Sequence, residues 1–225
     1  FTLGQGYVVA IADDGTRWGW GAKDEGELGL GHQSDLEAIP VRISAETTWR
    51  AMAAGSDFTL ALRADGTLWQ AGITRHPLTG TPFGSDILTQ VGSDSDWVRV
   101  FGGKLEGFRH AIKSDGSLWA WGILPYLCGL PCLFVQEPIH LNITGRCAAV
   151  SSFGDSTFGP LVLMEDGTVW SFVGIPGVFA QVLDGPWKQV EWNAILGAGV
   201  GLTDEGTLWR LVRPDPELPI LIVDS

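Results

Sequence analysis

The sequence predicts an all-β fold, a β-propeller of five blades with about four antiparallel strands in each. Three observations point there. One nine-residue phrase recurs five times, each copy places a glycine turn between two apolar runs, and most of the eleven tryptophans fall at fixed places in the repeat.

The phrase first reads Ala10-Ile11-Ala12-Asp13-Asp14-Gly15-Thr16-Arg17-Trp18. It returns at Ala61–Trp69, Ala111–Trp119, Val162–Trp170 and Gly201–Trp209, with Glu205 replacing aspartate in the last copy. The closing tryptophans stand 51, 50, 51 and 39 residues apart. Such a period marks a repeat architecture. Asp-Gly between apolar runs is a hairpin turn, since glycine accepts the positive φ required there. The flanks alternate apolar and polar, which is strand period. A strand precedes each hairpin, at Trp49–Gly55, Trp97–Val100, Cys147–Val150 and Trp187–Val190. Another follows, at Pro40–Ile43, Pro138–Leu141 and Pro219–Ile222, where a leading proline suits an edge. The repeats run over about 1–48, 49–96, 97–146, 147–186 and 187–225 of one domain. The recurring tryptophans are expected in the blade-to-blade core.

Composition narrows the function. Hydrophobic residues make up 45% and charged residues 18%, which argues against disorder. The net charge is −12, and a surface this acidic repels phosphate, so neither nucleic acid nor an anionic membrane surface is an expected partner. Cys128, Cys132 and Cys147 are too few for a disulfide framework, although the first two could pair within their loop. No apolar run reaches membrane-spanning length. The start at Phe1 leaves room for a removed leader and tilts the expectation toward an exported compartment, periplasmic or extracellular. Ten arginines against four lysines point toward a GC-rich bacterial genome.

The phrases resemble the regulator of chromosome condensation repeat. The first repeat carries the match best, at Trp20-Gly21-Ala22-Lys23-Asp24-Glu25-Gly26-Glu27-Leu28-Gly29-Leu30-Gly31. The resemblance implies a propeller, commonly of seven blades, where five repeats are visible here. The reading is therefore a five-bladed ring, with an open arc or a fragment of a larger propeller as the alternative. The register of both ends suggests a complete ring. The family's usual histidine before Ala-Leu is replaced by Tyr7, Phe58 and Phe108, expected to be core aromatics. Some family members are guanine nucleotide exchange factors that wedge a blade loop into a GTPase. No wedge-like insertion is recognisable here.

No catalytic motif involves His32, His76, His110 or His140, and no metal or cofactor site is expected, so the chain is read as a non-enzyme. Asp13-Asp14 and Asp94-Ser95-Asp96 read as turn acids rather than calcium ligands. Asn142-Ile143-Thr144 matches a glycosylation triplet. The departure that points to a partner is the loop of repeat three, in which residues 123–135 carry no charge. Repeat four has an apolar counterpart at 173–179, whereas repeat one is acidic there. The expected partner-binding residues are Leu124, Tyr126, Leu127, Leu130, Leu133, Phe134, Ile175, Val178 and Phe179. A loop folded over its own blade is the competing reading. The expected function is a non-catalytic protein–protein interaction or scaffold module, an accessory subunit of a larger assembly whose partner is another protein, a membrane-protein complex included. An exchange factor or a propeller-type enzyme inhibitor is the alternative, and a lectin-like or hydrolytic propeller a further one.

Overall fold

A computed structural model of the 225-residue chain describes all residues except 23, 32–35, 77–78, 104–106, 125–132, 152–158, 174–177, 194–197, 213–220 and 224–225. At 133, 173, 193 and 221–223 it describes the backbone only. Every regular element among the described residues is a β-strand. The first sheet holds β1 (Thr2–Leu3), β2 (Tyr7–Ile11), β3 (Arg17–Gly21) and β4 (Glu37–Ser44). The second holds β5 (Trp49–Ala54), β6 (Thr59–Arg63), β7 (Leu68–Arg75) and β8 (Pro82–Gln90). The third holds β9 (Trp97–Gly102), β10 (Phe108–Lys113), β11 (Leu118–Leu124) and β12 (Leu133–His140). The fourth holds β13 (Cys147–Val150), β14 (Val162–Met164), β15 (Val169–Val173) and β16 (Val178–Leu183). The fifth holds β17 (Trp187–Asn193), β18 (Ala198–Thr203), β19 (Leu208–Val212) and β20 (Leu221–Val223). In each sheet the strands lie in chain order, a four-stranded meander of the propeller-blade type. Pro40 and Pro138 sit in β4 and β12, the last strands of their sheets, where a missing N–H costs the ladder least.

The phrase forms the central hairpin of each blade, and its turn has a specific chemistry. Gly15, Gly66, Gly116, Gly167 and Gly206 take φ of 80°, 82°, 83°, 84° and 85°, the left-handed region that glycine enters without strain. Asp14 Oδ1 accepts from the Thr16 backbone N–H at 2.9 Å and the Thr16 hydroxyl at 2.6 Å. The Trp18 indole N–H then donates to that hydroxyl at 2.9 Å. The same relay joins Asp65, Thr67 and Trp69, and again Asp166, Thr168 and Trp170. The threonine hydroxyls and N–H groups hold Asp14, Asp65 and Asp166 below the ordinary carboxylate range. In the fifth copy, with Glu205 in the aspartate place, the Thr207 N–H donates to Thr203 Oγ1 at 3.2 Å.

The chain divides into two compact units. One comprises Phe1–Ser114, Trp119–Ile123 and Phe134–His140, and the other Asp115–Leu118, Leu124–Leu133 and Leu141–Ser225. The first has a core around Phe58, Leu60, Leu62, Leu68, Trp97 and Trp121, and a smaller one around Tyr7, Val9 and Leu28. The second is built on Leu161, Leu163, Val169, Trp187, Trp192 and Leu211. The residue opening each of the last four blades is buried, with Cys147 in the slot that Trp49, Trp97 and Trp187 fill elsewhere. Tyr7, Phe58 and Phe108 are buried as expected of core aromatics. Each lies under a glycine: a Cβ on Gly55 would fall 2.1 Å from the Phe58 ring.

His110, in β10, is fully buried, and desolvation drives its pKa down to about 3. The folded state therefore keeps it neutral while the unfolded chain protonates it below its ordinary value near 6.5.

Two outcomes follow for stability. A methyl on Gly66 would meet the Ser95 carbonyl oxygen at 2.0 Å as well as the left-handed φ. Gly66→Ala should therefore cost at least about 2 kcal/mol in urea unfolding, against near-neutrality if the site were an open turn. As pH falls from 6.5 toward 3, His110 should remove stability at up to about 1.4 kcal/mol per pH unit. Urea melts between pH 7 and pH 4 should show a shallower acid limb in His110→Gln than in the parent. An identical limb would place acid sensitivity elsewhere.

Candidate recognition site

The third residue of the phrase is the last of the hairpin's first strand in β6, β10, β14 and β18, so its side chain leaves the blade beside the opening and closing aromatics. It is Ala12, Arg63, Lys113, Met164 and Thr203 in turn. In blade two the Arg63 guanidinium lies 4.8 Å from the Trp49 ring centroid and 4.1 Å from that of Trp69. The two indoles stand edge to face, 6.1 Å apart at 86°. In blade three Lys113 Nζ lies 4.8 Å and 4.7 Å from Trp97 and Trp119, whose rings meet at 5.9 Å and 80°. A cation between two π-faces gains from both quadrupoles. Each cation also meets carboxylates from the connection before its blade. Glu46 reaches Arg63 at 2.5 Å, and Asp94 and Asp96 reach Lys113 at 2.6 Å and 3.1 Å. Burial works against the Lys113 charge, yet the two aspartates hold its pKa above the usual lysine value. In blade four two sulfurs replace cation and tryptophan together, with Cys147 Sγ 3.9 Å from Met164 Sδ. Burial, with the Glu165 charge adding to it, pushes that thiol up to about 11.

Blade one departs at a neighbouring position. The residue before the closing tryptophan is Leu68, Leu118, Val169 and Leu208 in the other copies, and the first three are at most 1% exposed. Here it is Arg17, also 1% exposed. Its guanidinium sits 5.0 Å over Trp49, so that indole contacts both Arg17 and Arg63. Nε and Nη2 of Arg17 and Nε of Arg63 are buried without a hydrogen-bond partner. Burial pulls the Arg17 pKa down to about 10, with Glu46 opposing and Arg63 adding to the effect. Above this group opens a recess of about 340 Å³. Its polar wall is Arg17, Glu46, Trp49, Arg63 and Trp69, and its apolar wall includes Ile43 and Leu88. The signal was present in the sequence, in Thr16-Arg17-Trp18 against Thr67-Leu68-Trp69.

The glycine-rich loop of blade one is a clasp that keeps Asp24 exposed. Leu28 is 0% and Glu27 3% exposed. The Ile73 N–H donates to the Glu25 carbonyl at 2.7 Å, and the Gly31 N–H to the Asp86 carbonyl at 2.9 Å. Leu30 bridges Ile87 of β8. A Cβ on Gly26 would stand 2.5 Å from the Asp86 Cα, so the glycine permits backbone contact with blade two. Glu27 Oε2 accepts from the Glu25 N–H at 3.2 Å, and desolvation raises its pKa.

The expected partner-binding residues are placed unevenly. Leu124 ends β11 fully buried. Phe134, in β12, packs edge-on against His76 and Phe83 at 5.1 Å and 5.5 Å. Phe179 stacks on Trp170 at 5.2 Å and 17° and also touches Phe172. Val178 is 65% exposed. Tyr126, Leu127, Leu130 and Ile175 lie outside the described residues, as does the side chain of Leu133. Cys128 and Cys132 lie outside them too. Among the described residues no three His, Cys, Asp or Glu side chains cluster as metal ligands, and no helix is long and apolar enough to cross a membrane. Asp14 is engaged in its turn, and Asp94 and Asp96 with Lys113.

Comparison with known proteins agrees with this blade chemistry. Residues 14–62 match the family model of the Regulator of chromosome condensation (RCC1) repeat. The chain is 29% identical over 127 residues to the Ultraviolet-B receptor UVR8 of Arabidopsis thaliana, a match over 53% of this chain and 28% of that protein. It thus spans well under two thirds of that relative's length. Among solved structures, human WBSCR16 superposes with a TM-score of 0.75 at 15% identity, over 99% of this chain and 66% of that one. Prp20p of Saccharomyces cerevisiae, described with its binding to Gsp1p and histones, gives 0.55 at 15% identity, over 93% and 70%. At such identities the two structures speak for the fold alone.

The contacts of Arg63 and Lys113 with their tryptophan pairs should contribute measurably to stability. Arg63→Met keeps the apolar stem but removes the charge, and should cost about 1 kcal/mol in urea unfolding. Lys113→Met should cost a similar amount. Because the two cations share no partner, the double variant should be additive to within about 0.5 kcal/mol.

Proposed function

We propose that this chain, which resembles the RCC1 repeat over residues 14–62, is a non-catalytic protein-interaction module acting as an accessory subunit of a larger assembly. The observation that carries this is the contrast between two loops. In blade one the segment after the closing strand is closed onto blade two through Leu28 and the Gly31–Asp86 hydrogen bond. In blade three the segment 125–132 contains no charge, while the residues flanking it are fixed, Leu124 by burial and Phe134 by its ring contacts. Anchored ends with an uncharged span between them suit a docking loop, since contiguous apolar surface marks interfaces. The exposed Val178 of blade four adds to the same reading. The binding of Gsp1p and histones by Prp20p supports partner binding by this repeat type. An exported location and a membrane-protein complex as the partner belong to the proposal.

Replacement of 125–132 by a Gly-Ser linker of equal length tests it. The variant should keep its circular dichroism melt and lose the proteins that co-elute with the tagged parent chain from its native cells. Retention of the same proteins by the variant would overturn the reading. Accelerated nucleotide release from a panel of small GTPases would replace it with an exchange-factor function.

A further inference from the structure

Arg17 occupies a position where the repeat calls for a branched aliphatic side chain. Leu68, Leu118 and Val169 show that the slot is apolar and closed in three other blades. A guanidinium there loses its hydration, and two of its nitrogens gain no protein partner in return. Trp49 compensates in part, but that indole is shared with Arg63. The two guanidiniums face one carboxylate, Glu46, which is bound to Arg63 and whose side chain is 52% exposed. The recess therefore holds an excess of positive charge inside a protein of net charge −12. A repeat under selection for stability alone would carry leucine at this position.

We propose that this recess is a binding site for a carboxylate carried on a small apolar stem. The ligand's carboxylate takes the place of the Glu46 carboxylate on Arg63 and engages the unpartnered N–H groups of Arg17. The Glu46 side chain, already half exposed, swings out to water. Guanidinium forks bind carboxylates in two-point geometry, which favours this anion over a spherical one. Ile43, Leu88 and the Trp69 indole receive the stem. The acidic exterior works against polyanions, so the site selects a single charge that can enter the recess. A free carboxylic acid and an acidic side chain on a peptide present the same chemistry.

The test follows the arginine Nε–Hε resonances of the full chain during titration with N-acetyl-leucine, its uncharged amide, acetate, and a tetrapeptide with an internal glutamate. N-acetyl-leucine should give saturable shifts at Arg17 and Arg63, acetate should bind more weakly, and the amide should not bind. A tighter response to the tetrapeptide would assign the natural ligand to a protein, and a tighter response to N-acetyl-leucine to a metabolite. Arg17→Leu should lose at least about ten-fold in affinity while melting at the same or a higher temperature. Glu46→Gln, which removes the competing charge, should bind more tightly than the parent. Equal binding of acid and amide would overturn the proposal, as would undiminished binding by Arg17→Leu. A large drop in the melting temperature of Arg17→Leu would also overturn it, because Arg17 would then be a member of the core. Arg63→Met should lose affinity as well, and unchanged affinity there sinks the site.

Discussion

A left-handed glycine held in a hydrogen-bonded turn sets the register of every blade. The aspartate accepts from the threonine two residues on, and the threonine hydroxyl accepts from the tryptophan two residues further, in blades one, two and four. This fixes which face of the outgoing strand the indole takes. A slip of one residue would move every side chain of the hairpin to the other face. The turn is also where the connection to the next blade passes, as the closeness of Gly15 to Thr47 and of Gly66 to Ser95 shows. One constraint thus governs both the hairpin and its junction.

The indoles placed this way serve two roles that composition alone does not separate. Trp121 fills the core and donates to Gln70 at 3.0 Å. Trp49 with Trp69, and Trp97 with Trp119, also pair across the blade, each pair with one cation over both rings. Arg109 is buried too, 4.0 Å over Phe58 and donating to the Thr74 hydroxyl and the Gly107 carbonyl. Desolvation lowers its pKa to about 10, yet its hydrogen bonds and ring contacts keep it engaged. Arg17 has the ring contact without the hydrogen bonds, and that difference separates a structural arginine from one poised for a ligand.

On the proposed reading, the two loop types divide stability from recognition. The Gly26–Gly31 clasp commits its backbone to blade two and leaves little free for a partner. A loop that recognises another molecule must keep surface uncommitted. The match to the RCC1 repeat model, over residues 14–62, takes in the clasp.

The blades themselves were legible from the sequence, because a hairpin turn and its strand alternation are local. Asp-Gly and the alternating flanks lie within nine residues of one another, so short-range physics decides them. Tyr7, Phe58 and Phe108, which stand where the resemblance places a histidine, are buried as expected of core aromatics. Nothing local marks Glu27 of the clasp as buried while Asp24 stays exposed, because the contact that buries it, with the backbone of blade two, is long-range. The pairing of Arg63 with Glu46 and of Lys113 with Asp94 likewise joins residues 17 and 19 positions apart, across a turn whose direction no local pattern states. Arg17 stood visibly in a leucine position. Only the tertiary structure decided that it is buried, that it shares Trp49 with Arg63, and that a recess opens beside it, since burial is a property of what packs on a side chain.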